Sequence, residues 1–148
     1  MLSSRSSLAT PIPSSANRAM TMKPLFTLTA AIEMLTGIGL VAAPSVLVRL
    51  LLGVPLEAPA AHVVAGLAGA ALLSIGLACW LARDDGASRA GRALLAAITL
   101  YNIAAVALLT FAGLGLGLNG LGLWPAVILH GALTLWCVAC LRINRAGR

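Results

Sequence analysis

The chain has 148 residues, of which 60% are hydrophobic and 9% charged, with a formal net charge of +6. A soluble domain carries about 25% charged residues, so here the polar groups are too few to cover a water-facing surface and lipid must do so. The length suits one bundle with no second domain. The basic residues gather at segment ends instead of forming a patch, which excludes nucleic acid as a partner.

Residues 1–23 are rich in Ser, with Pro11, Pro13, Arg5 and Arg18 and no acid. Transit peptides share that composition, and low hydrophobicity alone equally predicts a disordered tail. A start at Met20 or Met22 would remove most of the segment from the mature protein. Residues 24–142 then carry four apolar stretches, at 25–43, 60–82, 92–112 and 122–141. Each is close to the roughly 20 residues that cross a hydrocarbon slab at about 1.5 Å per residue. The expectation is an all-α integral membrane four-helix bundle, closed by a basic cytoplasmic tail at 143–148.

Three connections join the spans. In the first, Pro44 ends the opening helix by removing a donor and crowding the preceding turn. A short interfacial helix follows at 45–52, with Arg49 snorkelling to the headgroups, and Pro55 and Pro59 lead into the second span. The second connection is a charged turn with Arg83, Asp84, Asp85, Arg89 and Arg92, where Ser88 is a suitable cap for the third span. The third, residues 113–122, alternates Gly and Leu. It lacks the preceding strand and the Lys-Ser or Lys-Thr pair of a phosphate loop, and reads as a hairpin at the membrane surface.

Orientation follows from the basic residues. Arg5, Arg18, Lys23, Arg83, Arg89, Arg92, Arg142, Arg145 and Arg148 fall on one side of a four-span chain, and Arg49 alone on the other. That excess marks the cytoplasmic face of a bacterial inner membrane, with both termini inside. Trp80 and Phe26 near the inner boundary, and Trp124 and Phe111 near the outer one, fit an aromatic belt. In the second span Ala65, Gly66, Gly69 and Ala70 let backbones approach. Such a stripe serves packing within the bundle, or against a homodimer partner or another membrane protein.

Polar residues within the spans are the candidate functional groups. Glu33 lies near the bilayer centre, where a carboxyl costs about 2.5–3.5 kcal/mol even on an insertion scale, and therefore faces inward. Thr29, Glu33, Thr36 and Gly37 share a helix face. Thr99, Asn102 and Thr110, with Tyr101 beside them, form a stripe on the third span; His130, Thr134 and Cys137 form one on the fourth. Glu33, Tyr101, Asn102 and His130 match in depth and are expected to meet inside the bundle. Such a cluster either fixes helix register through modest interhelical hydrogen bonds or forms a protonatable centre. His62, near the outer end of the second span, reads as an interface residue.

The cysteines Cys79, Cys137 and Cys140 are odd in number and lie in apolar context, which argues against a disulfide framework. Trp136, Cys137 and Cys140 resemble the active-site string of thioredoxin-like oxidoreductases. That chemistry needs a thiolate at an exposed helix start, whereas these thiols lie late in an apolar helix, so they stand as weak redox candidates. No cofactor motif is present, and two histidines at different depths make no metal site.

The order of parts resembles the DoxX-like small four-helix membrane proteins and related uncharacterised bacterial families. The features that carry it are a first helix ending at Pro44, the segment Leu50, Leu51, Leu52, Gly53, and the small-residue run at 66–76 opening a second hairpin. The resemblance implies an inner-membrane bundle, and some members look like subunits of quinone-linked oxidoreductases. The chain is also similar to the small multidrug resistance transporters, which exchange protons for cationic drugs through a lone acid in the first helix. Glu33 matches that acid, but the Lys late in the first helix and the aromatic cluster of the third are missing, and the connection at 44–59 is long. The leading reading is thus a non-catalytic accessory or assembly component, with no assigned enzyme activity. A proton-coupled small-molecule transporter using Glu33 comes second, and a quinone-linked redox subunit third.

Overall fold

Lipid offers the backbone no hydrogen-bond partner, so an apolar segment crossing it must satisfy its own amides, and the helix does so. A computed structural model describes residues 15–146. They form α1 (Ser15–Ala42), α2 (Pro44–Leu52), α3 (Pro59–Ala82), α4 (Arg89–Leu114) and α5 (Leu123–Ala146), with no strand among the described residues. Four stretches are long and apolar enough to cross a membrane: Met22–Ala42, Pro59–Ala82, Arg89–Leu114 and Leu123–Ile143. The protein is an all-α, multi-pass membrane four-helix bundle with a short helix after its first span.

Local chemistry sets the ends. Pro44 and Pro59 open α2 and α3, where a missing amide costs nothing. The Ser88 hydroxyl accepts from the Gly91 amide at 2.9 Å, so α4 starts directly after its cap, earlier than the apolar stretch at 92 implies. Two other ends also move outward. α1 begins at Ser15, inside the segment read as a tail, and α5 runs on to Ala146, carrying Arg145 on the helix. Residues 1–14, with Arg5, Pro11 and Pro13, and 147–148, with Arg148, lie outside the described residues.

α1 packs along α3 and α4 along α5; α1 also meets α5, and α3 meets α4, which closes the ring. The α1–α3 seam is a backbone-to-backbone approach. A Cβ on Gly37 would stand 2.7 Å from the Gly69 carbonyl oxygen, and one on Gly69 2.8 Å from that of Gly37. The small-residue stripe therefore divides: Ala65 and Gly69 are buried while Ala70 is exposed, and Gly66 meets nothing within 4 Å. Intramolecular packing claims one face only.

The two ends of the bundle differ. Toward the turn between α3 and α4, Met22, Leu25, Phe26, Ala30, Cys79 and Leu95 form a closed core with Ile98, Leu133, Cys137 and Cys140. Phe26 is 0% exposed, so it belongs to this core and not to the aromatic belt; Trp80, Phe111 and Trp124 do stand exposed. Lys23, near the start of the first span, and Asp84 join α1 to the turn across that end at 2.7 Å. The other end, beneath α2, is hollow.

Candidate functional site

Glu33, Tyr101, Asn102 and His130 each lie within one helical turn of the middle of their span, and the fold brings all four together. Asn102 is the anchor. Its Nδ2 donates to the Ile98 carbonyl at 2.7 Å and its Oδ1 faces His130 Nδ1 at 2.7 Å. Tyr101, the next residue, stands edge-on to the His130 ring, with centroids 5.6 Å apart and planes at 83°. The Tyr101 hydroxyl donates to Glu33 Oε2 at 3.3 Å. A continuous polar path thus runs from α5 through α4 to α1.

Satisfaction along this path is uneven. Asn102 is fully buried and bonded on both sides of its amide. Glu33 is 1% exposed, yet its Oε1 and the buried Thr29 hydroxyl, one turn before it, have no hydrogen-bond partner among the described residues. A neutral hydrogen bond contributes about 0.5–1.5 kcal/mol, and a 3.3 Å contact is long for an O–H donor. The carboxyl costs about 2.5–3.5 kcal/mol at that depth. Tyr101 does not offset it.

Beneath α2 lies a cavity of about 440 Å³. Its walls include Ile32, Thr36 and Leu40 of α1, Leu47 and Leu51 of α2, Leu72 of α3, Leu108 and Leu109 of α4, and Ala126 and Leu129 of α5. Tyr101 and His130 form its inner end, with Glu33 directly behind Tyr101. The volume falls within the range of about 300–1,000 Å³ usual for small-molecule sites, and apolar walls with a few convergent polar groups are their usual lining.

α2 is the roof, and none of its residues is buried. It is held at three points. The Gly122 amide donates to the Leu50 carbonyl at 2.9 Å, and Ser45 Oγ meets His62 Nε2 at 2.8 Å. Gly120 lies so close to the Leu51 carbonyl group that a Cβ would overlap it. The Gly-Leu connection is therefore more than a surface turn: it latches the roof. His62 ties α2 to α3.

Cys137 and Cys140 are 0% and 2% exposed, packed with Cys79 in the closed core, and none of the three is in a disulfide. They lie away from the cavity lining, and the solvent-reachable thiolate of redox exchange has no counterpart here. Among the described residues, no three His, Cys, Asp or Glu side chains are grouped to hold a metal. The cavity was not legible in sequence, because its walls come from all five helices. Thr36, on the Glu33 face, was the one polar wall residue besides Tyr101 and His130 whose helical spacing pointed to it. No family model, curated protein or solved structure matches the chain.

Proposed function

We propose that this is a bacterial inner-membrane protein with cytoplasmic termini that takes small amphiphilic molecules into the cavity beneath α2 and exchanges a proton at Glu33, as a proton-coupled transporter does. One observation carries the reading: a cavity of about 440 Å³ ends on the Tyr101–His130 pair, and behind it stands a buried carboxyl with an unpartnered oxygen. A purely structural cluster accounts for Asn102 and His130, whose bond ties α4 to α5. It does not account for Glu33, whose burial no contact offsets. An acid kept at mid-membrane depth without structural return is a functional residue by default.

Orientation rests on the basic residues. Lys23, Arg83, Arg89 and Arg92 gather at the closed end, while Arg49 lies on α2 at the other. The cavity then faces away from the cytoplasm. An accessory role without a ligand is the competing reading, and the two differ in whether Glu33 responds to occupancy.

The test is difference infrared spectroscopy of reconstituted protein with and without 1-naphthol, using Glu33→Gln to assign the carboxyl band. Binding of the probe should change the Glu33 band, and Glu33→Asp should keep a displaced version of the response. A probe that binds without moving the band removes proton coupling. Failure of any apolar probe to bind returns the protein to the accessory reading.

A further inference from the structure

The network around His130 specifies what kind of head group the cavity accepts. The Ile98 carbonyl can only accept, so the Asn102 atom 2.7 Å from it is the amide nitrogen. The Asn102 oxygen therefore faces His130 Nδ1 at 2.7 Å, and because that oxygen can only accept, Nδ1 carries the hydrogen. In a neutral imidazole one nitrogen donates and the other accepts, which leaves Nε2 as a bare acceptor. Among the described residues Nε2 has no hydrogen-bond partner, and it is not one of the sealed, unpartnered polar atoms of the bundle. Tyr101 points the same way over a longer contact: its hydrogen is directed to Glu33 at 3.3 Å, which leaves its oxygen to offer lone pairs to the cavity.

From this we infer that the site selects apolar molecules with a hydrogen-bond-donating head, a hydroxyl or a protonated amine, over isosteres whose head only accepts. The donor hydrogen meets His130 Nε2, and the apolar body lies between α1, α4 and α5 under the α2 roof. Thr36, on the wall, is the remaining polar lining side chain, and as a hydroxyl it can donate or accept. The discrimination therefore belongs to His130 and Tyr101 at the inner end. A quinone or ketone brings only lone pairs to that end and finds two more facing it; the corresponding quinol or phenol brings the missing hydrogen. This deepens the cavity reading above and rests on it.

The test compares 1-naphthol with 1-methoxynaphthalene, which keeps the ring and the oxygen but lacks the donor, on full-length protein in lipid nanodiscs. Naphthol should bind about tenfold more tightly, the value of one satisfied hydrogen bond in a buried site. His130→Leu should erase that ratio by weakening naphthol while leaving the ether unchanged. Because that variant also strips Asn102 of its partner, nitrogen-15 NMR of the unmodified protein provides an independent reading. It should show His130 protonated at Nδ1, with Nε2 bare in the empty site and hydrogen-bonded in the naphthol complex. Equal affinity for the two probes, or a hydrogen on Nε2 in the empty site, overturns the inference while the cavity reading stands. If neither probe binds, both fall. A primary amine of the same ring system, 1-naphthylmethylamine, distinguishes the two donor classes: tighter binding than naphthol assigns the site to cations, weaker binding to neutral hydroxyls.

Discussion

At the scale of single residues, the polar path contains two unlike contacts. The Asn102–His130 bond is short and part-buried, so removing Asn102 leaves the His130 donor with no substitute. Asn102→Leu strands His130 Nδ1–H and should cost about 1–3 kcal/mol, read from reversible unfolding in mixed micelles. Tyr101→Phe removes only a long contact to Glu33 and should cost less than about 1 kcal/mol. It should nonetheless move the Glu33 infrared band, because that carboxyl loses its one donor among the described residues. Equal destabilisation by the two substitutions would make the path one structural network. The four residues of this path were legible from depth and helical spacing alone, since an apolar span leaves few other places for a polar group to hide. Their partners were not, because which of two neighbouring polar groups meets which depends on how the spans rotate. Phe26 was misread for a related reason: position along a helix gives its height in the bilayer, while its face is set by the neighbours it packs against.

At the scale of elements, close approach decides which substitutions matter. Gly69 stands against the Gly37 carbonyl, so a side chain there pushes α1 off α3; on Gly66, three positions earlier, there is open space. Gly69→Val should destabilise the bundle by about 1–3 kcal/mol, the usual cost of overpacking. Gly66→Val should stay within about 0.5 kcal/mol in the monomer. If Gly66→Val instead lowers the molecular mass seen by light scattering in detergent, the outer half of the stripe is a dimer contact. The α2 roof follows the same logic. α2 buries no residue of its own, and its position depends on the Gly122–Leu50 bond, the Ser45–His62 bond and the room left by Gly120. Gly120→Ala puts a methyl into the Leu51 backbone and should lift the roof. A Val48→Cys reporter on the cavity side of α2 should then react faster with a maleimide than it does with Gly120 present. The Pro-bounded short helix was readable in sequence; its role as a latched roof was not, because the latch residues lie in a loop about 70 positions later.

At the scale of the whole molecule, the bundle is sealed at one end and hollow at the other, with the polar path between. The sealed end carries the basic residues, and its ion pairs add little to the seal. Lys23 holds the Asp84 carboxyl below its ordinary range by hydrogen bonding to it. A depressed carboxylate stabilises the folded state above its unfolded pKa, and that contribution disappears as pH falls through the folded value, below about pH 4. The pair is more than half exposed, so the effect is small and screened by salt. Packing around Phe26 and Cys79 makes the seal.

A transporter with this shape has one consequence that an accessory subunit does not share: the residues on the two sides of Glu33 must differ in access to water, and the difference must respond to ligand. Ala105 borders the cavity one turn beyond Tyr101, while Ala30 is 0% exposed in the closed core. The native thiols are 0–2% exposed and give a low background. In intact cells, Ala105→Cys should react with a membrane-impermeant maleimide and be protected by 1-naphthol, whereas Ala30→Cys should stay unreactive. In inverted vesicles, a proton gradient together with 1-naphthol should expose Ala30→Cys if the bundle alternates between open ends. Labelling of Ala105→Cys only in inverted vesicles would reverse the orientation drawn from the basic residues. Labelling of Ala105→Cys from outside, with Ala30→Cys sealed under every gradient and ligand, would leave a binding protein that receives its molecule and returns it on the same side. Glu33 would then sense occupancy without driving transport.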